Sequence, residues 1–309
     1  MFERRWLRLA LFLAAIAAIA WYCVANPEVL HRAMAFGWLN VIVLALSYSL
    51  SHVLNALVLK AGLEPPYRGI RLSGLMGITM ASSLAGYLTP LRVGGLGTRL
   101  LMLRVRYGVS PGYVVGQFLL VTLLTIGLSS IMFVIVVLAQ GAQMLERYRL
   151  AIGGMALVGA GVVVMCAVLS IERFYVRVRF MLPKALAGAH DAMSRPARSQ
   201  IKIVALLAVS FLLQVLQTQW LLISVGIRSD WVFSALVCAA ANLMLVLSLT
   251  PGNLGVKEAL LGSLSLAFSI DEKAFLGALL VDRFVQLAVL AAGTLLYFFL
   301  DRSRLRSKR

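Results

Sequence analysis

The chain has 309 residues, 61% of them hydrophobic and 13% charged, with a formal net charge of +17. Soluble domains average about 45–50% apolar and 25% charged residues, so this composition excludes an ordinary soluble domain and defines an all-α polytopic membrane protein. Its basic residues punctuate apolar runs, which makes them topology signals rather than a nucleic-acid surface.

Residues 1–8 carry Arg4, Arg5 and Arg8, and the apolar run 9–24 ends in the interfacial pair Trp21-Tyr22. Further apolar spans follow, so this run reads as an uncleaved anchor with the N-terminus in the cytoplasm. A second span covers about 36–59, and the turn at 60–71, with Lys60, Arg68 and Arg71, reads as cytoplasmic. Cys23, Cys166 and Cys238 each sit in an apolar span without disulfide or zinc spacing. No metal, cofactor or nucleotide fingerprint is recognised.

Residues 73–88 are apolar and rich in small side chains, and they end at Thr89-Pro90 before Gly94 and a helical stretch carrying Arg99. A full crossing here sends the basic segment 172–202 outside, through spans at about 112–139 and 150–170, against the positive-inside bias. A re-entrant hairpin over 73–107 keeps that segment in the cytoplasm. The linker 171–202 separates a first repeat, about 36–139, from a second, about 203–300, within one transmembrane domain spanning 1–309. It reads either as a surface-lying basic piece or as a solvated linker.

The second half carries a span at about 203–224, a hairpin over 231–270 and a last span at about 274–300 before a basic tail. Its hairpin contains Thr250, Pro251, Gly252 and Gly255, and Thr89-Pro90 matches Thr250-Pro251 at an offset of 161 residues, as Gly94 matches Gly255. On this threading the two repeats have inverted topology, each with a broken-helix hairpin. That is an architecture of alternating-access transporters, in which half-helix N-termini face anionic cargo.

Four basic residues fall in no loop: Arg92, Arg99, Lys257 and Arg283. The unassigned acids are Glu258 and Asp282. An unpaired cation at mid-span costs about 2.5–3.5 kcal/mol on insertion scales, so Arg283 calls for a partner, either Glu258 or Asp282. Asp282 points about 100° away from Arg283, so Glu258 is the expected one. That pair can be structural glue, a headgroup site, or both. Lys257 and Glu258 point about 100° apart, so one is expected to face a cavity and the other a helix. Asp282 and His52 are expected behind the site, His52 as a proton-handling or packing residue. Gln214, Gln217 and Asn242 either line a cavity or bond helix to helix.

The run Pro251 to Glu258, followed by Arg283, resembles the C-terminal signature of the lysylphosphatidylglycerol synthase transmembrane-region family, also described as flippase-like. Pro90, Arg92, Gly94 and Arg99 resemble its N-terminal motif, although Gly95 stands where an acidic residue is expected. The resemblance implies a multi-pass protein of a bacterial or archaeal inner membrane that handles lipids, and the basic flanks place both termini in the cytoplasm. The end of the chain after its last span argues against synthase activity, so a non-enzymatic translocase of an anionic phospholipid, glycolipid or polyprenyl-phosphate lipid is expected. The alternatives are a lipid-headgroup transferase using Glu258 or Asp282 as base, and a scaffold for a lipid-modifying enzyme or glycosyltransferase.

Overall fold

The computed structural model describes residues 36–64, 66–67, 69–89, 93–170, 197–245, 253 and 256–306. Among them every regular element is a helix: α1 (Trp38–Leu63), α2 (Leu72–Tyr87), α3 (Val93–Tyr107), α4 (Pro111–Ala139), α5 (Ala142–Arg147), α6 (Arg149–Ser170), α7 (Ala197–Ser224), α8 (Trp231–Leu243), α9 (Val256–Ala267) and α10 (Glu272–Arg306). Helices α1, α4, α6, α7 and α10 are long and apolar enough to cross a membrane. About 20 residues at 1.5 Å each cover a hydrocarbon core of about 30 Å. Helices α2, α3, α8 and α9 have only 16, 15, 13 and 12 residues. Each therefore reaches only about 18–24 Å.

Local chemistry sets several of these boundaries. Thr89 Oγ1 accepts a hydrogen bond from Gly94 N at 2.9 Å, tying the end of α2 to the start of α3. Gly108, at φ 67°, closes α3 by donating its N–H to Arg104 O, while Val109 N reaches back to Leu103 O at 3.3 Å. Pro111 opens α4, where its missing N–H costs nothing. At α8, Asp230 Oδ1 accepts from Phe233 N at 2.6 Å as the N-cap.

The second set of elements follows the first in register. The ends of α1 and α7 (Leu63, Ser224), the left-handed residues Gly108 and Ser269, and the starts of α4 and α10 (Pro111, Glu272) are each 161 residues apart. Packing repeats too: α1 lies on α2 as α7 lies on α8, while α4 packs on α7 and α8 as α10 packs on α1 and α2. Helices α1 and α7 are antiparallel. Ser199 Oγ, early in α7, donates to Ala61 O at the end of α1 at 3.0 Å, while Phe36 and Leu44 cluster with Leu221 at the opposite end. Helix α6 stands outside this pairing and packs on α4, where the bare Cα of Gly127 makes room for Val162.

The described turns gather at two ends of the bundle with different charge. At one end, Tyr67 OH accepts from Ser110 N and Arg106 donates to Tyr297 OH. Lys60, Arg71, Arg104, Arg106, Arg198 and Lys202 lie towards this end, as do Arg302, Arg304 and Arg306 in the last turns of α10, against the acids Glu64 and Asp301. At the other end Tyr148 OH donates to Asp230 at 2.9 Å and its ring stacks on Phe268, with centroids 4.7 Å apart. Burial and the Asp230 carboxylate raise the Tyr148 pKa above the ordinary tyrosine value, which keeps the phenol a donor. Basic and acidic residues balance here, with Arg147, Arg149, Arg228 and Lys273 against Glu146, Asp230, Asp271 and Glu272.

Two sequence expectations change. Residues 197–202, expected to end the linker, form the first turns of α7, because Arg198 and Lys202 stay exposed there while the helix continues beyond its apolar stretch. The last helix likewise runs on to Arg306, past the expected limit of 300. The expected anchor at 9–24, Cys23 and linker residues 171–196 lie outside the described residues.

Candidate functional site

The short helices and the long ones that flank them surround a cavity of about 410 Å³ with charged and polar side chains in its wall. Helical spacing builds its walls. Tyr48, His52 and Asn55 stand one and two turns apart on α1, and Gln214, Gln217 and Thr218 share one face of α7. Helix α4 adds Thr122 and Thr125, and α10 adds Asp282, Arg283 and Gln286. The first turns of α3 and α9 reach the cavity through Gly95 and Lys257. Other faces of these helices carry apolar side chains, such as Leu46 and Leu50 on α1 or Phe284 on α10, exposed where acyl chains would lie.

Two consecutive residues of α9 pair with two consecutive residues of α10. Arg283 Nη2 lies 2.6 Å from Glu258 Oε1, with Arg283 buried and Glu258 partly buried, and also donates to Asn253 O at 3.3 Å. Lys257 Nζ lies 3.6 Å from Asp282 Oδ2, and Tyr48 OH donates to the other carboxylate oxygen. Asn253 holds a left-handed backbone (φ 56°), and its Nδ2 donates to Met244 O at 2.9 Å, so the turn after α8 is fixed directly beside Arg283. Asn tolerates that conformation better than most residues.

Arg99 is different. It lines the cavity from α3 with its guanidinium 5.7 Å from the centre of the Phe118 ring, and no carboxylate partners it among the described residues. A cation–π contact contributes about 0.5–2 kcal/mol. That offsets only part of the cost of a cation at membrane depth, about 2.5–3.5 kcal/mol or more. Water or an anion must supply the rest.

The structure thus brings Arg99, Lys257 and Arg283 to one cavity and sets Glu258 behind it as the partner of Arg283. Asp282 and His52, expected behind the site, line it instead. For Asp282 the reason is the crossed pairing, which turns its carboxylate towards Lys257 and Tyr48. His52 is 4% exposed, and neither ring nitrogen has a hydrogen-bond partner. Gln214 and Gln217 line the wall, and Gln214 also bridges helices, since Asn242 Nδ2 donates to its Oε1 at 3.3 Å. Arg92, Pro90, Thr250, Pro251, Gly252 and Gly255 lie outside the described residues.

The residues missed were Tyr48, Tyr87, Gln286, Thr122 and Thr125. Tyr87 OH donates to Gln286 Oε1 across α2 and α10. The available signal was spacing: Tyr48 and Gln286 stand one turn from His52 and from Asp282 and Arg283. Gly95 also finds a reason, because a Cβ there would sit 2.8 Å from Ser82 O, leaving no room for an acidic side chain.

Five helices long and apolar enough to cross a membrane, around a cavity with charged and polar side chains in its wall, define a multi-pass membrane protein. The chain belongs to the lysylphosphatidylglycerol synthase TM region family, whose model matches residues 5–293. No curated protein and no solved structure matches it.

Proposed function

We propose that the protein is a lipid translocase, not an enzyme, that moves an anionic lipid headgroup through this cavity between the leaflets of a bacterial or archaeal inner membrane. The observation that carries the reading is Arg99, a cation with no carboxylate partner among the described residues, on the wall of a cavity inside an apolar bundle. The positive N-terminal ends of α3 and α9 reinforce it by favouring anions. The antiparallel α1 and α7, together with the 161-residue register, support two inverted repeats, α1–α4 and α7–α10, in which α2/α3 and α8/α9 are re-entrant hairpins entering from opposite sides. The basic end of the bundle then faces the cytoplasm, with both termini there.

The test is reconstitution of the full chain in proteoliposomes with phosphatidylglycerol carrying a fluorescent acyl chain, whose outward movement dithionite bleaching reads. Leaflet exchange with the lipid chemically intact supports translocation. A new lipid product indicates a transferase, and neither outcome leaves the scaffold reading for a lipid-modifying partner.

A further inference from the structure

The cavity wall has two chemically distinct parts. Its charged part is already partly neutralised, since Glu258 balances Arg283 and Asp282 balances Lys257 while accepting from Tyr48. Arg99 remains as one surplus cation among the described residues. Its neutral part holds His52, Gln217, Ser51, Asn55, Gln214 and Asn242. His52 and Gln217 are only 4% and 7% exposed. Both His52 nitrogens, Gln217 Nε2 and Ser51 Oγ lack hydrogen-bond partners. A buried polar atom without a partner costs about 1–3 kcal/mol, so several such atoms on one wall mark a surface completed by water or by a ligand.

The geometry points to a phosphodiester joined to an uncharged, hydroxyl-rich headgroup, an inositol or a sugar, as the ligand of this cavity. This rests on the translocase reading of the same site. The phosphodiester brings one negative charge, matching the one surplus cation, Arg99. Each hydroxyl both donates and accepts, which suits an imidazole with one donor and one acceptor nitrogen, an amide N–H and a serine hydroxyl. An amine-bearing headgroup fits badly. It would meet Arg99, Lys257 and Arg283, while the carboxylates of Glu258 and Asp282 are already engaged. A volume of about 410 Å³ lies in the range of sites for small ligands, about 300–1,000 Å³.

The experiment has a binding arm and an exchange arm. In detergent, calorimetry with the full chain compares glycerophosphoinositol, glycerophosphoglycerol and glycerophosphoethanolamine. The first is expected to bind at least about tenfold more tightly than the last. His52→Leu and Gln217→Leu should each weaken glycerophosphoinositol binding by roughly threefold to tenfold, without lowering the apparent Tm, because each removes a buried polar group that lacks a partner. In proteoliposomes, fluorescent phosphatidylinositol and a fluorescent polyprenyl phosphoglucose are compared with the ethanolamine lipid, which separates a glycerophospholipid source from a polyprenyl one. Equal binding of all three headgroups overturns the inference, as does unchanged binding in both variants. Exchange without headgroup preference also overturns it and leaves the translocase standing. Selective binding without exchange keeps the ligand class and removes translocation. A variant that lowers Tm is replaced by His52→Phe or Gln217→Met, read in the same assay.

Discussion

Arg283 and Glu258 meet at 2.6 Å from adjacent helices, each largely withdrawn from solvent, while their chain neighbours Asp282 and Lys257 form a second, looser pair at 3.6 Å. Burial decides which pair matters more to the fold. Removing one partner of a buried pair leaves an uncompensated charge and costs about 3–5 kcal/mol. Glu258→Gln or Arg283→Gln alone should therefore depress the apparent Tm strongly in detergent. The double variant should lose less than the sum, and Lys257→Met should cost the least. Additive losses would show that the two charges do not interact.

Glycine sets how closely α2 approaches α10. A Cβ on Gly77 would lie 2.1 Å from Tyr297 Cδ2, a ring atom whose hydroxyl accepts from Arg106, whereas one on Gly293 would meet the Met80 Sδ at 2.4 Å. Methionine can turn away, and the anchored ring cannot do so as cheaply. Gly77→Ala should thus lower Tm more than Gly293→Ala. Gly95→Asp should be worse than either, since its obstacle is the Ser82 carbonyl. Thermal unfolding of the three variants checks the order.

Much of this arrangement was legible in the sequence because lipid is an exacting solvent. Every charge in an apolar run needs a reason, so Arg99, Lys257, Glu258, Asp282 and Arg283 stood out before any contact was known. The helix breaks at Thr89 and after Leu243 showed through proline and glycine. Partner choice showed in part: consecutive Asp282 and Arg283 point about 100° apart, which favoured Glu258 for Arg283, and the crossing of α9 and α10 makes that pair. Tyr48 and Gln286 escaped notice because an uncharged polar residue on an apolar helix has no distinctive pattern of its own. What makes them part of the cavity is a one-turn spacing from residues on other grounds singled out.

The proposed orientation can be tested from residues at the two ends of the bundle. In a background without Cys23, Cys166 and Cys238, Gln143→Cys and Arg228→Cys should react with an impermeant maleimide from outside intact cells. Arg198→Cys and Lys202→Cys should react only after the cells are opened. All four native side chains are exposed, so accessibility should follow sidedness. External labelling at 198 or 202 would overturn the orientation.

Arg99 and Arg283 should separate when stability and transport are measured side by side. Arg283 is held by Glu258 and by the Asn253 carbonyl, so its removal damages the join between α9, α10 and the preceding turn as well as any site for an anion. Arg99 rests on Phe118, with no carboxylate partner among the described residues. Replacing it with glutamine removes a cation whose burial already costs free energy, so Arg99→Gln should leave Tm unchanged or raise it. The same change takes a charge-assisted contact of about 1.5–3 kcal/mol from a bound phosphate, which corresponds to roughly a tenfold to hundredfold loss. Exchange of anionic lipid by Arg99→Gln should fall by that order, and Arg99→Lys should recover part of it. A purely structural Arg99 makes the opposite prediction: Tm falls in Arg99→Gln, while the protein that remains folded exchanges lipid at the wild-type rate.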